Sequence, residues 1–275
     1  MKIAFIGGGN MAAALISGLA GTVCDGADIH VVDPNAAALT RLEQQYGVTS
    51  AASIDVDVVI ADVLVLAVKP QQMRAVAATL APLLARGAPL IVSIAAGIRG
   101  ADLARWLGGY GAIVRCMPNT PALIGQGMTG MVAMHGVTAA QKAAADGVLA
   151  AVGKTVWLDD ESLIDPVTAV SGSGPAYVFY FIEAMQQAAE ELGLTSAQGR
   201  ELALATFTGA AQLAAQSGES VAVLRERVTS KGGTTYAALA SMQDAGVKEA
   251  IVAAVKAAAA RGRELGVELG KDAAD

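Results

Sequence analysis

Two adjacent glycines, Gly232 and Gly233, follow a serine and a lysine and precede two threonines in the segment LRERVTSKGGTTYAAL, residues 224–239. The pair stands just before an apolar-periodic stretch that predicts a helix. Glycines at such a point let backbone N–H groups turn outward, beside the positive end of the helix dipole. Two interpretations are open: a capped helix start, for which Ser and Thr are ordinary caps, or a pocket for a carboxylate or phosphate.

A second candidate site lies near the start of the chain, where the first predicted strand runs directly into IGGGNMAAALISGL. Gly7, Gly9 and Ala12 match G-x-G-x-x-A at a strand-to-helix turn. The first glycine permits the tight turn, the second lets a pyrophosphate approach the backbone, and the alanine allows close packing of helix on strand. About 20 residues later Asp33 ends the second predicted strand, where a carboxylate can accept hydrogen bonds from an adenosine ribose. The pattern predicts a nicotinamide or flavin dinucleotide, with a merely structural glycine turn as the alternative.

Later strands end in segments rich in glycine and proline: AVKP at 67–70, SIAAG at 93–97 and CMPNTP at 116–121. In an open parallel sheet the ligand binds beyond the carboxyl ends of the strands, so all three segments should border the cofactor. The alternative for Lys69 is a solvated surface lysine, and for Asn119 it is a turn residue held between two prolines. Candidate cofactor contacts in these segments and at the first helix start are Asn10, Met11, Ala67, Val68, Lys69, Pro70, Ala95, Ala96 and Asn119.

Other catalytic arrangements are not evident in the sequence. The segment SGSGPA superficially resembles the nucleophile motif G-x-S-x-G, but a helix start with proline in its first turn accounts for it. His30 and His135 have no neighbouring acid in the sequence, so we favour core packing or exposure for each. Together with Cys24 and Cys116 they form no metal-ligand spacing, and we predict no metal. Hydride transfer needs no catalytic triad, because the cofactor carries the chemistry.

The composition indicates a folded chain with neither nucleic acid nor membrane as a partner. At 275 residues, domain-size statistics favour two domains over one. Hydrophobic residues make up 54% and charged residues 16%, which excludes a disordered chain and hints at buried surface beyond one monomer. The net charge of −6, without a basic cluster, argues against nucleic acid and anionic lipid. We expect a cytoplasmic protein, because neither a secretory signal nor a membrane span is evident and the two cysteines suit a reducing compartment.

Short apolar runs alternate with amphipathic segments over the first part of the chain. The runs KIAFI, IHVVD, VLVLAV, PLIVSIA, AIVRCM, GMVAM and KTVWL predict strands of a mainly parallel sheet covered on both faces. Alanine-rich helical patterns replace them from about Glu161, so we predict an α/β domain over residues 1–160 and an all-helical domain over 161–275. The predicted helix Pro175 to Leu192 is apolar nearly all round at its start, which predicts packing against a second copy of the chain.

Several of these segments together resemble a known family. AVKP, MPNTP and above all SGSGPAY followed by VTSKGGTTYAALASM are similar to pyrroline-5-carboxylate reductase, in the same order and along nearly the whole chain. The resemblance implies a Rossmann-type, doubly wound first domain and a helical second domain that intertwines with a partner subunit. It implies a homodimer, or a larger homo-oligomer such as a homodecamer. It also implies reduction of 1-pyrroline-5-carboxylate to L-proline by NADPH or NADH, the last step of proline biosynthesis.

The resemblance gives the glycine pair a role in substrate binding. The implied substrate-binding residues are Ser230, Gly232, Gly233, Thr234 and Thr235. The backbone of the glycine pair and Thr234 holds the substrate carboxylate with help from Ser230, and Thr235 contacts the ring nitrogen as the catalytic residue. Lys231 departs from the proline that many members have there. Asp33 departs from the small or basic residues that accept a 2′-phosphate, so the choice between NADPH and NADH stays open.

Two alternatives to this function also stay open. A β-hydroxyacid dehydrogenase or another imine reductase can share the two-domain plan, and a non-catalytic dinucleotide-sensing protein can share the first domain. A hydroxyacid dehydrogenase of this type needs a catalytic lysine in the helical domain. Lys231 is the only lysine close to a substrate-like loop, and it does not lie on a helix with an asparagine partner downstream.

Overall fold

The computed structural model describes residues 1–271, which form one eight-stranded sheet and twelve α-helices. The strands are β1 (Ile3–Ile6), β2 (Ile29–Val32), β3 (Thr49–Ala51), β4 (Val63–Leu66), β5 (Leu90–Ser93), β6 (Ile113–Met117), β7 (Gly127–Ala133) and β8 (Gly153–Trp157). The helices are α1 (Asn10–Leu19), α2 (Ala36–Tyr46), α3 (Asp57–Ile60), α4 (Met73–Leu80), α5 (Gly100–Trp106), α6 (Ala139–Ala150), α7 (Ile164–Val167), α8 (Gly174–Glu191), α9 (Ser196–Gln216), α10 (Val221–Arg227), α11 (Thr234–Asp244) and α12 (Val247–Gly270).

The sheet has the order β3-β2-β1-β4-β5-β6-β7-β8. All neighbouring strands are parallel except β6 and β7, which are antiparallel. Because β1 lies between β2 and β4, the chain reverses its direction of winding at β1, and this switch point is where open α/β sheets bind ligands. The predicted fold class, a doubly wound Rossmann-type sheet followed by helices, is confirmed.

All seven predicted strands are present, and within residues 1–271 β3 is the one strand that the sequence pattern missed. It is three residues long, Thr49, Ser50 and Ala51, and has no apolar run to mark it. It lies at the sheet edge and pairs only with β2. A short edge strand of this kind depends on its neighbour's hydrogen bonds rather than on its own burial, so hydrophobic patterning does not detect it.

Hydrophobic side chains cover both faces of the sheet. Along β1, Ile3 and Phe5 belong to one buried cluster, whereas Ala4 and Ile6 belong to the other. Successive side chains of a strand point to opposite faces, so this alternation means that both faces of β1 are buried. Burial on both sides explains why the central strands are continuous apolar runs in the sequence.

Two compact units make up the described chain. The first comprises Met1–Ser173 together with the chain from Ala257 onward, and the second comprises Gly174–Lys256. The boundary predicted between residues 160 and 161 stays a prediction. In the described residues 1–271, no helix combines the length and apolar character needed to cross a membrane.

The second unit is helical and has very little core of its own. Gly199 on α9 allows close approach to α8, since a Cβ there would lie 3.0 Å from Cβ of Ala189. Only Gly199 and Ala203 are buried among the residues of this unit. On α8, which matches the predicted apolar helix to within one residue at each end, Phe179 is 64% and Tyr180 72% exposed. So much apolar surface in a unit with almost no core indicates that other protein covers it.

Candidate functional site

The turn between β1 and α1 has the backbone geometry of an anion site. Gly7 has φ +101°, and a Cβ there would lie 2.6 Å from the carbonyl oxygen of Ala67, so only glycine fits. Gly9 precedes α1 and faces open space, because a Cβ there would have no atom within 4 Å. Asn10 is exposed and Met11 half-buried. No side chain caps α1, so its first N–H groups point toward a ligand space that suits a pyrophosphate.

Asp33 directly follows β2 and faces this turn. Its Oδ2 accepts a hydrogen bond of 2.7 Å from the N–H of Gly8, and its Oδ1 accepts one of 2.8 Å from the N–H of Asn35. The carboxylate therefore ties the glycine turn to the β2–α2 connection. A carboxylate has about four acceptor positions, so both oxygens of Asp33 can still accept hydrogen bonds from a ribose.

The other predicted cofactor residues lie at the carboxyl ends of β4, β5 and β6. These strands run parallel to β1, which places their ends along the same sheet edge as the glycine turn. After β4, Ala67, Val68 and Pro70 are half-buried and Lys69 is exposed. After β5, Ala96 is half-buried, whereas Ala95 is only 5% exposed and can offer little besides its backbone.

Asn119 is held by the protein itself. Its Oδ1 accepts a hydrogen bond of 2.9 Å from the N–H of Met128, and its Nδ2 lies 3.2 Å from both the carbonyl oxygen and Oγ of Ser171. The side chain thus joins the turn after β6 to β7 and to the SGSGPA segment. This bonding supports the interpretation of Asn119 as a turn residue, and its predicted contact with the cofactor stays a prediction.

Arg115 and Glu161 form an ion pair that the sequence analysis did not identify. Arg115 on β6 is 4% exposed, and its Nη1 lies 2.8 Å from Oε1 of Glu161. The same Oε1 accepts a 2.6 Å hydrogen bond from the N–H of Gly100, the first residue of α5. One carboxylate oxygen of Glu161 therefore joins Arg115 on β6 to the start of α5, which follows the segment that carries Ala95 and Ala96.

Glu161→Gln should lower the free energy of unfolding by about 2 kcal/mol. Glutamine keeps an oxygen acceptor but removes the charge that neutralises the buried guanidinium of Arg115. Asp165 still offers that guanidinium a carboxylate, with its Oδ1 3.9 Å from Arg115 Nη2. The loss is smaller than for a fully buried pair, because the Glu161 side chain is 26% exposed and solvent screens it. Urea denaturation measures the change.

Glu264→Gln is the matched control for that substitution. Glu264 also pairs with an arginine, Arg261, but both side chains are more than half exposed, so its removal should leave the urea midpoint unchanged. Equal destabilisation by the two substitutions would contradict the special position of Glu161.

The glycine pair before α11 forms a tight turn. The N–H of Gly233 donates a 3.0 Å hydrogen bond to the carbonyl oxygen of Ser230, and Gly232 has φ +75° at the third position of the turn. This arrangement corresponds to a type II turn, which favours glycine at that position. Gly233 has an ordinary φ of −83°, so the positive φ that favours glycine belongs to Gly232 alone of the pair. A Cβ on Gly233 would instead lie 2.5 Å from Oγ of Ser230.

Open donors and hydroxyls remain beyond that turn. The N–H of Gly233 is used within the turn, so the donors left at the start of α11 are those of its first turn, beginning with Thr234 and Thr235. No side chain caps this helix. The Thr235 side chain is half-buried, and its hydroxyl makes no hydrogen bond to any of residues 1–271. Ser230 and Thr234 are exposed.

Neither cysteine is a candidate nucleophile. Both are free thiols, Cys24 half-buried and Cys116 buried. Burial raises the pKa of the Cys116 thiol, and it is also the main cause that raises the pKa of Cys24. Since the thiolate is the reactive form, a raised pKa disfavours both thiols as nucleophiles near pH 7.

Two family models match the chain in its two halves. Residues 161–265 match the model described as pyrroline-5-carboxylate reductase dimerisation. Residues 2–97 match the model described as NADP oxidoreductase, coenzyme F420-dependent.

Known proteins match nearly the whole length of the chain. Pyrroline-5-carboxylate reductase of Pseudomonas aeruginosa is 49% identical over 270 residues, which cover 98% of both chains. The solved structure of the Coxiella burnetii pyrroline-5-carboxylate reductase has a TM-score of 0.90 and 39% identity, and covers 96% of this chain and 98% of that one. The Plasmodium falciparum pyrroline carboxylate reductase, solved with NADP bound, has a TM-score of 0.86 at 28% identity, over 97% and 98% of the two chains.

Proposed function

The chain belongs to the pyrroline-5-carboxylate reductase family, and we infer from this membership that it reduces 1-pyrroline-5-carboxylate to L-proline in proline biosynthesis. It is an NAD(P)H-dependent oxidoreductase. The observation that carries this conclusion is the 49% identity with the Pseudomonas aeruginosa enzyme along 98% of each chain. The family model that begins at residue 161 supports a second domain starting there, as the sequence pattern predicts.

We assign cofactor binding to the edge formed by the glycine turn and the carboxyl ends of β4 and β5. Gly7 lets the turn pass close to β4, and the open space at Gly9 leaves the start of α1 accessible to a pyrophosphate. Asp33 lies beside the turn, where we expect its carboxylate to accept hydrogen bonds from the adenosine ribose. When bound, the reduced nicotinamide supplies the hydride that reduces the imine carbon.

We assign substrate binding to the loop before α11. The N–H groups at the start of this helix and its dipole suit the substrate carboxylate, with the Ser230 and Thr234 hydroxyls nearby in sequence and exposed. Gly232 makes the turn possible, and Gly233 keeps its inner side free of a side chain. The Thr235 hydroxyl, free of hydrogen-bond partners among residues 1–271, then contacts the ring nitrogen and orients the imine. Solvent can protonate the product amine, so no buried histidine is required.

Oxidation of NADPH and NADH in the presence of 1-pyrroline-5-carboxylate tests the proposed reaction. We expect saturable oxidation with formation of L-proline, and much weaker activity with 1-pyrroline, which has the same imine but no carboxylate. A dinucleotide-sensing protein would bind the cofactor without turnover. A hydroxyacid dehydrogenase would instead turn over a hydroxy acid with the oxidised cofactor, and either result would overturn the proposal.

The helical unit also supports assembly, and the dimerisation model it matches implies an oligomer. We propose that the functional state is at least a homodimer, as the unit has only two buried residues and exposes Phe179 and Tyr180 on α8. A larger ring, such as a homodecamer, is consistent with further apolar surface, for example Leu192 at 85% exposure.

Light scattering at micromolar concentration should give at least twice the chain mass of 27.6 kDa. Phe179→Glu together with Tyr180→Glu should weaken assembly, because charges replace apolar surface that a partner would bury. Asp159→Glu in the first unit provides a control for handling and should leave the mass unchanged. A folded, active monomer of the wild-type chain would contradict the proposal.

We propose the cytoplasm as the compartment, supported by the two free cysteines, which suit a reducing environment. We also propose that the partners are the substrate, the cofactor and further copies of the chain. The net charge of −6 supports the exclusion of nucleic acid and of anionic lipid surfaces.

A further inference from the structure

His30, Asp55 and Asp57 come together beside β2. His30 lies on β2, Asp55 lies in the segment between β3 and α3, and Asp57 is the first residue of α3. One ligand atom from each side chain lies within 4.8 Å of the other two. We propose that these three side chains bind a divalent cation of the zinc type.

The contact between His30 and Asp55 has the spacing of two ligands on one ion. Nε2 of His30 lies 3.3 Å from Oδ2 of Asp55. Two ligand atoms each about 2.1 Å from a tetrahedral ion are about 3.4 Å apart. Nε2 is buried from solvent and makes no hydrogen bond to residues 1–271. The approach of the carboxylate is therefore accounted for either by an ion pair with a protonated imidazole or by a cation held between the two groups. A buried nitrogen facing a carboxylate without a hydrogen bond is well explained by a cation between them.

Neighbouring groups hold two of the three ligands in place. Nδ1 of His30 is 2.9 Å from Oγ1 of Thr49, a contact that leaves Nε2 directed at the aspartates. Oδ1 of Asp55 accepts a 3.0 Å hydrogen bond from the backbone N–H of Asp57, which leaves Oδ2 free to face the histidine. Outer contacts of this kind orient ligands in metal sites.

The type of ligand favours zinc over magnesium or calcium. Imidazole nitrogen with carboxylate oxygens is a usual zinc set, whereas the two harder ions take oxygen ligands. Asp57 is exposed and the Asp55 side chain is 37% exposed, so water can complete the coordination. The ion would link β2 to Asp55 and to the start of α3, and the separation of these residues in the sequence matches no metal-ligand spacing rule.

Equilibrium dialysis of the full chain against micromolar Zn²⁺ should give one bound ion per chain. His30→Gln and Asp55→Asn should each remove this binding. His135→Gln and Asp25→Asn are the matched controls, since His135 and Asp25 are exposed and outside the cluster, and both should keep it. Zn²⁺ should also raise Tm by several degrees in the wild type and the controls but not in the two cluster variants.

Ring nitrogen NMR provides a readout that does not depend on the variants folding well. The chain has only two histidines, so the ring signals of His30 and His135 are easily separated. Zn²⁺ should shift the Nε2 signal of His30 and leave that of His135 unchanged. The proposal is overturned if saturable binding is absent, if His30→Gln and Asp55→Asn still bind one ion, or if the His30 signal does not respond.

Discussion

Replacing Thr235 by alanine should lower kcat/KM for 1-pyrroline-5-carboxylate about tenfold to a thousandfold, which is the range for loss of one hydrogen bond that acts in the transition state. Thr235 is half-buried and its hydroxyl has no hydrogen-bond partner among residues 1–271, so its removal leaves no protein group unsatisfied. The Kd of NADPH should change little, because the assigned cofactor residues lie in the other compact unit. Steady-state kinetics and cofactor titration measure the two effects.

Two further substitutions separate the hydroxyl from the shape of the side chain. Thr235→Val keeps the branched shape and should be as impaired as alanine, whereas Thr235→Ser keeps the hydroxyl and should recover most of the activity. Thr235 is the second residue of α11, where all these residues are tolerated, so the urea midpoint should stay close to that of the wild type. If Thr235→Val retained full kcat/KM, Thr235 would not be the residue that orients the substrate.

The central strands could be predicted from the sequence because burial on both faces makes them continuous apolar runs. By contrast, Thr49 to Ala51 form a strand because they pair with β2. This segment contains no valine, isoleucine or leucine that would indicate a strand in the sequence. The predicted apolar helix matched α8 for a related reason, since its residues are more apolar than an exposed helix allows. Hydrophobic patterning thus detects segments whose burial requires apolar residues, and it misses strands that form only by pairing with a neighbouring strand.

Local motifs predicted the two glycine turns, but they did not determine the backbone angles. In the sequence KGG, the type II turn places the positive φ on Gly232, whereas Gly233 precedes the helix with an ordinary φ. The sequence alone would have allowed the positive φ on either glycine. Arg115 and Glu161 are 46 residues apart in the sequence. Their pairing depends on how the segment after β8 returns to β6, and this is a property of the fold that local spacing does not encode.

Asp33→Ser should shift the ratio of kcat/KM for NADPH over kcat/KM for NADH upward by about fivefold to a thousandfold. A carboxylate about 4 Å from the 2′-phosphate of NADPH repels it by about 1 kcal/mol in water and about 4 kcal/mol at a partly buried site. Asp33 is half-buried, so the shift should lie between these limits. The wild type should use both cofactors.

In the structure, Asp33→Ser also has a second effect, on the glycine turn. Because this effect acts on both cofactors, it cancels in the ratio of their kcat/KM values. Asp33 also accepts hydrogen bonds from the N–H groups of Gly8 and Asn35, so serine should loosen the glycine turn and lower kcat/KM with both cofactors. Asp33→Asn is the better-matched variant, because its amide oxygen can still accept one of these bonds while the charge is gone. The side-chain oxygen of Asn35 caps α2, which leaves the exposed Arg41 as the cation best placed in sequence to meet a 2′-phosphate. If both variants lower activity without changing the ratio, Asp33 supports the turn and does not discriminate between the cofactors.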